Sequence, residues 1–206
     1  MGLQEETYNH AIDYMKDELF DEATDLLEKL VEERPHFNQA RWALGIAYTL
    51  SGYPHKSLLI WKGIVDGNEH GLNHAIYQVE QKLPVYIEIY QKYNKALEHI
   101  QSGKYTEASL LFEELLTMKE DIPLPVVFYQ AYILTKMILG DEKNAFDEMV
   151  QFPAYVRKSL VIQDLGEEIH QYLESYRNTK EIFTDKVNRK STILESVESW
   201  LQNILR

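Results

Sequence analysis

LFDEATDLLEKL, residues 19–30, decides the fold, because KYTEASLLFEEL, residues 104–115, writes the same pattern again. Aligned without gaps, Ala23 meets Ala108, Leu26 meets Leu111, Leu27 meets Phe112, Glu28 meets Glu113 and Leu30 meets Leu115. Apolar residues recur at steps of three and four, which is one face of a helix. An aromatic, Phe20 or Tyr105, precedes each alanine by three residues. A small residue there lets two helices approach closely, and the aromatic fills the space beside it.

Each stretch follows another helical pattern and a short turn. TYNHAIDYMKDE precedes the first and YNKALEHIQSGK the second, where Gly103 supplies permissive turn backbone. The unit is therefore a helix–turn–helix hairpin. Such a hairpin cannot bury both faces alone and must stack on a neighbour.

The pattern resembles the tetratricopeptide repeat family, whose 34-residue unit carries Trp-x2-Leu-Gly-x2-Tyr, then Ala-x3-Phe, then Pro. RWALGIAYTLSGYPHKSLLIW fits best, with Leu44, Gly45 and Tyr48, Gly52 in the turn, then Ser57 and Trp61. The first hairpin offers Ala11, Tyr14, Ala23, Leu27 and Pro35, and Ala23 to Ser57 spans 34 residues. FYQAYILTKMILGDEKNAFDEM supplies a fourth, with Gly140 in the turn and Ala145 in the small-residue slot.

From Ser57 to Ala108 is 51 residues, half a period too many. LNHAIYQVEQK, residues 72–82, reads as an inserted helix closed by Pro84, which disfavours helix just before it. In the third hairpin Lys92, Lys95 and His99 stand in slots the family fills with apolar residues; its apolar stripe is Ile89, Tyr93, Leu97 and Ile100. The expected architecture is all-α, an irregular α-solenoid in four segments. Residues 1–70 form two hairpins, 71–83 the extra helix or linker, 84–152 two degenerate hairpins and 153–206 a helical tail.

The tail reads differently. Pro153 suits a helix start. One seam follows at Ile162, Leu165, Ile169, Tyr172 and Tyr176, and a second at Phe183, Val187, Lys190, Leu194, Val197, Leu201 and Ile204. The tail either caps the exposed end of the last hairpin or self-associates through that second seam as a coiled coil, giving a homodimer.

The resemblance implies that the first helix of each hairpin lines a concave groove for an extended or helical peptide. The groove positions are then Tyr8, Asn9, Ile12 and Met15, next Trp42, Ala43, Ile46 and Thr49, then Tyr93, Asn94, Leu97 and Ile100. Trp42 stands one residue past the family's tryptophan slot, a rotation of about 100° away from the hairpin interior. The family's cationic carboxylate clamp has no counterpart at Gln39, Trp42 and Ala43.

Composition limits the function. The net charge is −12, all of it within residues 1–152, which argues against nucleic-acid binding. Residues 1–40 hold eleven acids and three bases and would steer a basic partner. No apolar run is long enough to span a membrane, no signal-peptide pattern is present and there is no cysteine, so a cytoplasmic location is expected. His70 and His74 stand four apart, but the order of residues in EHGLNH is not that of a zinc protease. KGIVDGNEHG lacks the ending of a phosphate loop. No cofactor, metal or catalytic residue is expected. The reading is a non-catalytic adaptor or assembly factor that binds a peptide or helix of another protein. The alternatives are a self-associating scaffold and a secretion-type chaperone.

Overall fold

The computed structural model describes residues 3–64, 69–118 and 122–160. Within them the chain is all-α, as expected: α1 (Leu3–Lys16), α2 (Phe20–Glu33), α3 (Asn38–Leu50), α4 (Pro54–Trp61), α5 (Glu69–Gln101), α6 (Tyr105–Thr117), α7 (Val126–Ile138), α8 (Glu142–Met149) and α9 (Ala154–Ser159). Helices neighbouring in sequence pack as neighbours in space.

Four turns are closed in the same way. The residue two before α2, α4, α6 and α8 has left-handed backbone: Glu18 (φ 59°), Gly52 (85°), Gly103 (71°) and Gly140 (80°). The next N–H reaches back five residues, Leu19 to Tyr14 O at 2.9 Å, Tyr53 to Tyr48 at 2.7 Å, Lys104 to His99 at 2.8 Å and Asp141 to Lys136 at 3.0 Å. This bond satisfies a carbonyl the helix end would otherwise leave open, and a left-handed residue is what allows it. Five residues after each left-handed residue comes a small one with no exposed surface: Ala23, Ser57, Ala108 and Ala145.

The apolar faces meet in three clusters. The first joins α1, α2 and α3 through Ala11, Leu27, Leu30, Ala40, Leu44 and Ala47; its alanines let the helices lie close. In the second, Leu58, Trp61 and Val79 are covered by Trp42, Ile46, Leu72, Ile76 and Leu83. The third is the largest and joins the end of α5 to α6, α7, α8 and α9 around Ile89, Phe112, Leu115, Phe128, Ile133 and Val156. Each such side chain contributes about 1.5–3 kcal/mol by leaving water.

The helix break expected at Pro84 is not formed. α5 runs unbroken through it, so the segments drawn as 71–83 and 84–152 share one helix. A proline inside a helix costs about 3 kcal/mol, because it removes one hydrogen bond and crowds the carbonyl four residues back. Here Pro84 and Glu80, which carries that carbonyl, are both exposed, so water can reach the open group. Leu83 packs on the second cluster, Val85 on the third. Their partial burial on both sides of Pro84 works against its cost.

The turns of the first two hairpins pack against the second half of the chain. Gly52 lies so close to Leu124 and Pro125 that a Cβ would stand 2.6 Å from Pro125 N. The Tyr90 hydroxyl donates to Gly52 O at 3.0 Å and that of Tyr86 to Pro123 O at 2.9 Å. Tyr155 on α9 donates to Leu124 O at 2.7 Å and accepts from Leu124 N at 3.0 Å. Its ring lies 5.7 Å from Phe20, and Lys158 Nζ donates to Asp17 O at 2.5 Å. α9 follows Pro153 and ends beside the α1–α2 turn. Of the tail seams, Ile162 to Tyr176 and Phe183, Val187, Leu194, Val197, Leu201 and Ile204 lie outside the described residues.

Candidate functional site

The structure distributes the expected groove positions over the three clusters. Tyr8, Ile12 and Met15 are half-buried against the first, where Ala43 is buried and Asn9 is exposed. Trp42 and Ile46 belong to the second, and Thr49 donates to Gly45 O and to Ser57 Oγ, both at 2.9 Å. Tyr93 and Ile100 are buried in the third, with Leu97 half-buried and Asn94 exposed. Tyr93 stacks on Phe128 at 3.8 Å, and its hydroxyl, buried, has no hydrogen-bond partner among the described residues.

Trp42 does not point away from its hairpin. It stacks on Trp61 at 5.3 Å, and Trp61 Nε1 donates to Trp42 O at 3.2 Å. Gly45, one turn further along α3, clears room for the Trp61 ring on the helix backbone. Leu72 and Ile76 of α5 pack on the same cluster as this pair.

A different surface gathers charge. α2 carries six carboxylates against one lysine, a net of −5. Asp21, Asp25, Glu28 and Glu32 recur at steps of four, three and four, so they share one exposed stripe. The stripe borders Tyr48 and Tyr53. The Tyr48 hydroxyl donates to Glu28, and burial, that bond and the charge of Glu28 push its ionisation well above the ordinary range. Burial raises Tyr53 too, with a contribution from Asp21. Asp21 itself is held above the usual carboxylate range, first by lost solvation and then by Glu22 and Asp25. Among the described residues no cation forms an ion pair with Asp21, Asp25 or Glu32.

One cation already sits at this surface. Lys56 Nζ lies 4.9 Å from the Tyr48 ring centre, 5.2 Å from that of Tyr53 and 3.9 Å from Glu28 Oε1. Two ring faces and a carboxylate are a setting that receives ammonium and guanidinium groups. The carboxylate spacing was readable in the sequence. The ring faces were not, because Tyr48 reads as a family core position and its approach to Lys56 depends on how α3 and α4 pack.

Among the described residues no group of three or more His, Asp or Glu is placed to hold a metal ion. His74 is exposed, and the side chain of His70 lies outside the description. No described helix is long and apolar enough to cross a membrane. No family model, curated protein or solved structure matches the chain.

Proposed function

We propose that this chain is a non-catalytic protein-interaction module built of tetratricopeptide-like hairpins, and that it binds a basic peptide or helical segment of another protein. The repeat reading is supported by the four identically closed turns and the buried small residue that follows each. The binding reading rests on the α2 stripe, where carboxylates without ion-pair partners border tyrosine rings that already hold the Lys56 ammonium. Long-range attraction from the stripe steers a basic partner, and the ring faces give its cationic side chains a short-range seat. Of the concave-groove positions, Tyr8, Ile12 and Met15 stay half-buried and can add apolar contact, whereas Tyr93 is committed to the core.

The test is a titration of the full chain with a synthetic amphipathic lysine–leucine helix, compared with the double variant Asp25→Lys, Glu32→Lys. Binding should weaken with added salt and fall at least about tenfold in the variant, the loss of two close charge pairs. Equal binding by both proteins overturns the reading.

A further inference from the structure

We propose that residues 3–83 and 85–160 are two bodies hinged at Pro84, and that the contact of Tyr90 with the Gly52 turn is the latch that holds them closed. The inference is independent of the partner reading and concerns how the fold moves.

The first observation is where the cores divide. The first and second clusters share Ile60, so α1–α4 and the start of α5 form one packed body that ends at Leu83. The third cluster begins at Val85 and runs through α6–α9. Among the described residues it shares no member with the other two. The boundary between the cores therefore falls at Pro84.

The second is the helix that carries the chain from one body to the other. α5 has 33 residues, a length of about 50 Å. Val79 and Tyr86 are buried, but between them Glu80, Gln81, Lys82 and Pro84 are exposed and Leu83 and Val85 only half-buried. Pro84 has no N–H to give to Glu80 O, so the helix lacks a hydrogen bond at the point where least packs on it. Helices bend at such points.

The third is what crosses the seam. The contacts come from the turns of the first two hairpins and the residues just after them. The Tyr90 hydroxyl donates to Gly52 O at 3.0 Å, and the His55 ring stands edge-on to that of Tyr90 at 6.1 Å. The Phe20 and Tyr155 rings lie 5.7 Å apart, and Lys158 Nζ donates to Asp17 O at 2.5 Å. Hydrogen bonds of this kind are exchanged for bonds to water at small net cost. The closed state is still well defined, because Gly52 fits against Leu124 and Pro125 with no room for a Cβ. A latch of few contacts and a bend point with little packed on it are the parts a hinge closure needs. The movement changes the angle between the first two hairpins and the rest, so a partner that touches both bodies selects one angle.

The test exploits the absence of cysteine. The full chain carrying Glu22→Cys and Asp147→Cys, both at exposed positions, takes two spin labels. Their separation is read by pulsed electron resonance, with the labelled chain diluted in unlabelled chain so that only distances within one copy count. It should show one narrow distance. Adding Tyr90→Phe and Lys158→Ala removes both seam hydrogen bonds and keeps the Tyr90 ring. The ratio of open to closed should then rise about thirtyfold, the factor for two such bonds, and a second, longer distance should appear. Pro84→Ala in that background restores the helix bond and should shrink the longer population. Amide hydrogen exchange at Leu27, Leu44, Phe112 and Ile133 should stay as slow as in the unaltered chain, because each core moves whole. An unchanged single distance in the latch variant overturns the proposal. So does a longer distance with fast exchange in either core, which makes the event the unfolding of one body. A longer population that Pro84→Ala leaves untouched overturns the assignment of the hinge to Pro84.

Discussion

The indole of Trp61 rests on the backbone of Gly45, so close that a Cβ at position 45 would stand 1.9 Å from Nε1 and 2.3 Å from Cε2. Trp61 closes the second cluster from α4, and Trp42 stacks beside it. The glycine is there for space, since it lies within α3 and has no left-handed backbone.

Gly45→Ala sets two effects against each other. Alanine is the better helix former by about 1 kcal/mol. The clash is with a bulky ring that stacks on Trp42, and forcing such a ring aside costs about 1–3 kcal/mol. The substitution should therefore destabilise by up to about 2 kcal/mol in urea unfolding and change the tryptophan emission of the folded state. An increase in stability would show that the ring moves freely.

Glu18 performs a glycine's task at the α1–α2 turn. Its φ of 59° matches Gly52, Gly103 and Gly140 at the other three turns. A side chain in left-handed backbone costs roughly 1–2 kcal/mol, and glycine returns part of this through its freer unfolded chain. Glu18→Gly should therefore stabilise by about 0.5–1 kcal/mol, and it also removes one charge from an acidic region. Thermal unfolding decides it; a lower melting temperature would mean that Glu18 makes a contact worth more than its strain.

That turn also shows how much of the fold the sequence discloses. Glycine marks three of the four turns, and the small residue five positions later is visible in all four. The hairpins at Gly52, Gly103 and Gly140 are legible for that reason, whereas the turn at Glu18 carries no local signal. Pro84 misleads, because its local preference is overruled by Leu83 and Val85, half-buried on either side of it. The groove is the least legible. Helical spacing puts Trp42, Ile46 and Tyr93 on helix faces, but only packing determines that the first two join the cluster around Trp61 and that Phe128 takes the third.

Pro84→Ala tests the cost of the proline. Alanine restores an N–H that can donate to Glu80 O and removes the ring from that carbonyl. Since Pro84 is exposed and packs in neither cluster, little is lost. Stability should rise by about 1–3 kcal/mol. A fall would show that the two halves of α5 need the bend a proline imposes.

Lys136 joins three helices. Its ammonium, near the C-terminal end of α7, lies 2.7 Å from Glu148 Oε1 on α8, 3.2 Å from Glu113 Oε1 on α6 and 3.9 Å from Asp141 Oδ2. Burial pulls its ionisation down, but hydrogen bonds with Glu148, Tyr132 and Glu113 outweigh this and hold it above the ordinary lysine range. Burial and then the Glu148 bond raise Tyr132 in turn. Both shifts act with the same sign. The folded protein keeps protons that the unfolded chain releases, so their stabilisation is complete below about pH 10 and fades as pH climbs above it. Lys136→Met keeps the length and apolar stem but leaves Glu113, Asp141 and Glu148 facing one another. Because those carboxylates remain partly exposed, the expected loss at neutral pH is about 1–3 kcal/mol, below that for breaking a fully buried pair. Urea unfolding at pH 7 and again above pH 10 checks both statements. The gap between the unaltered chain and the variant should narrow at the higher pH, and a constant gap would mean that Lys136 acts through packing alone.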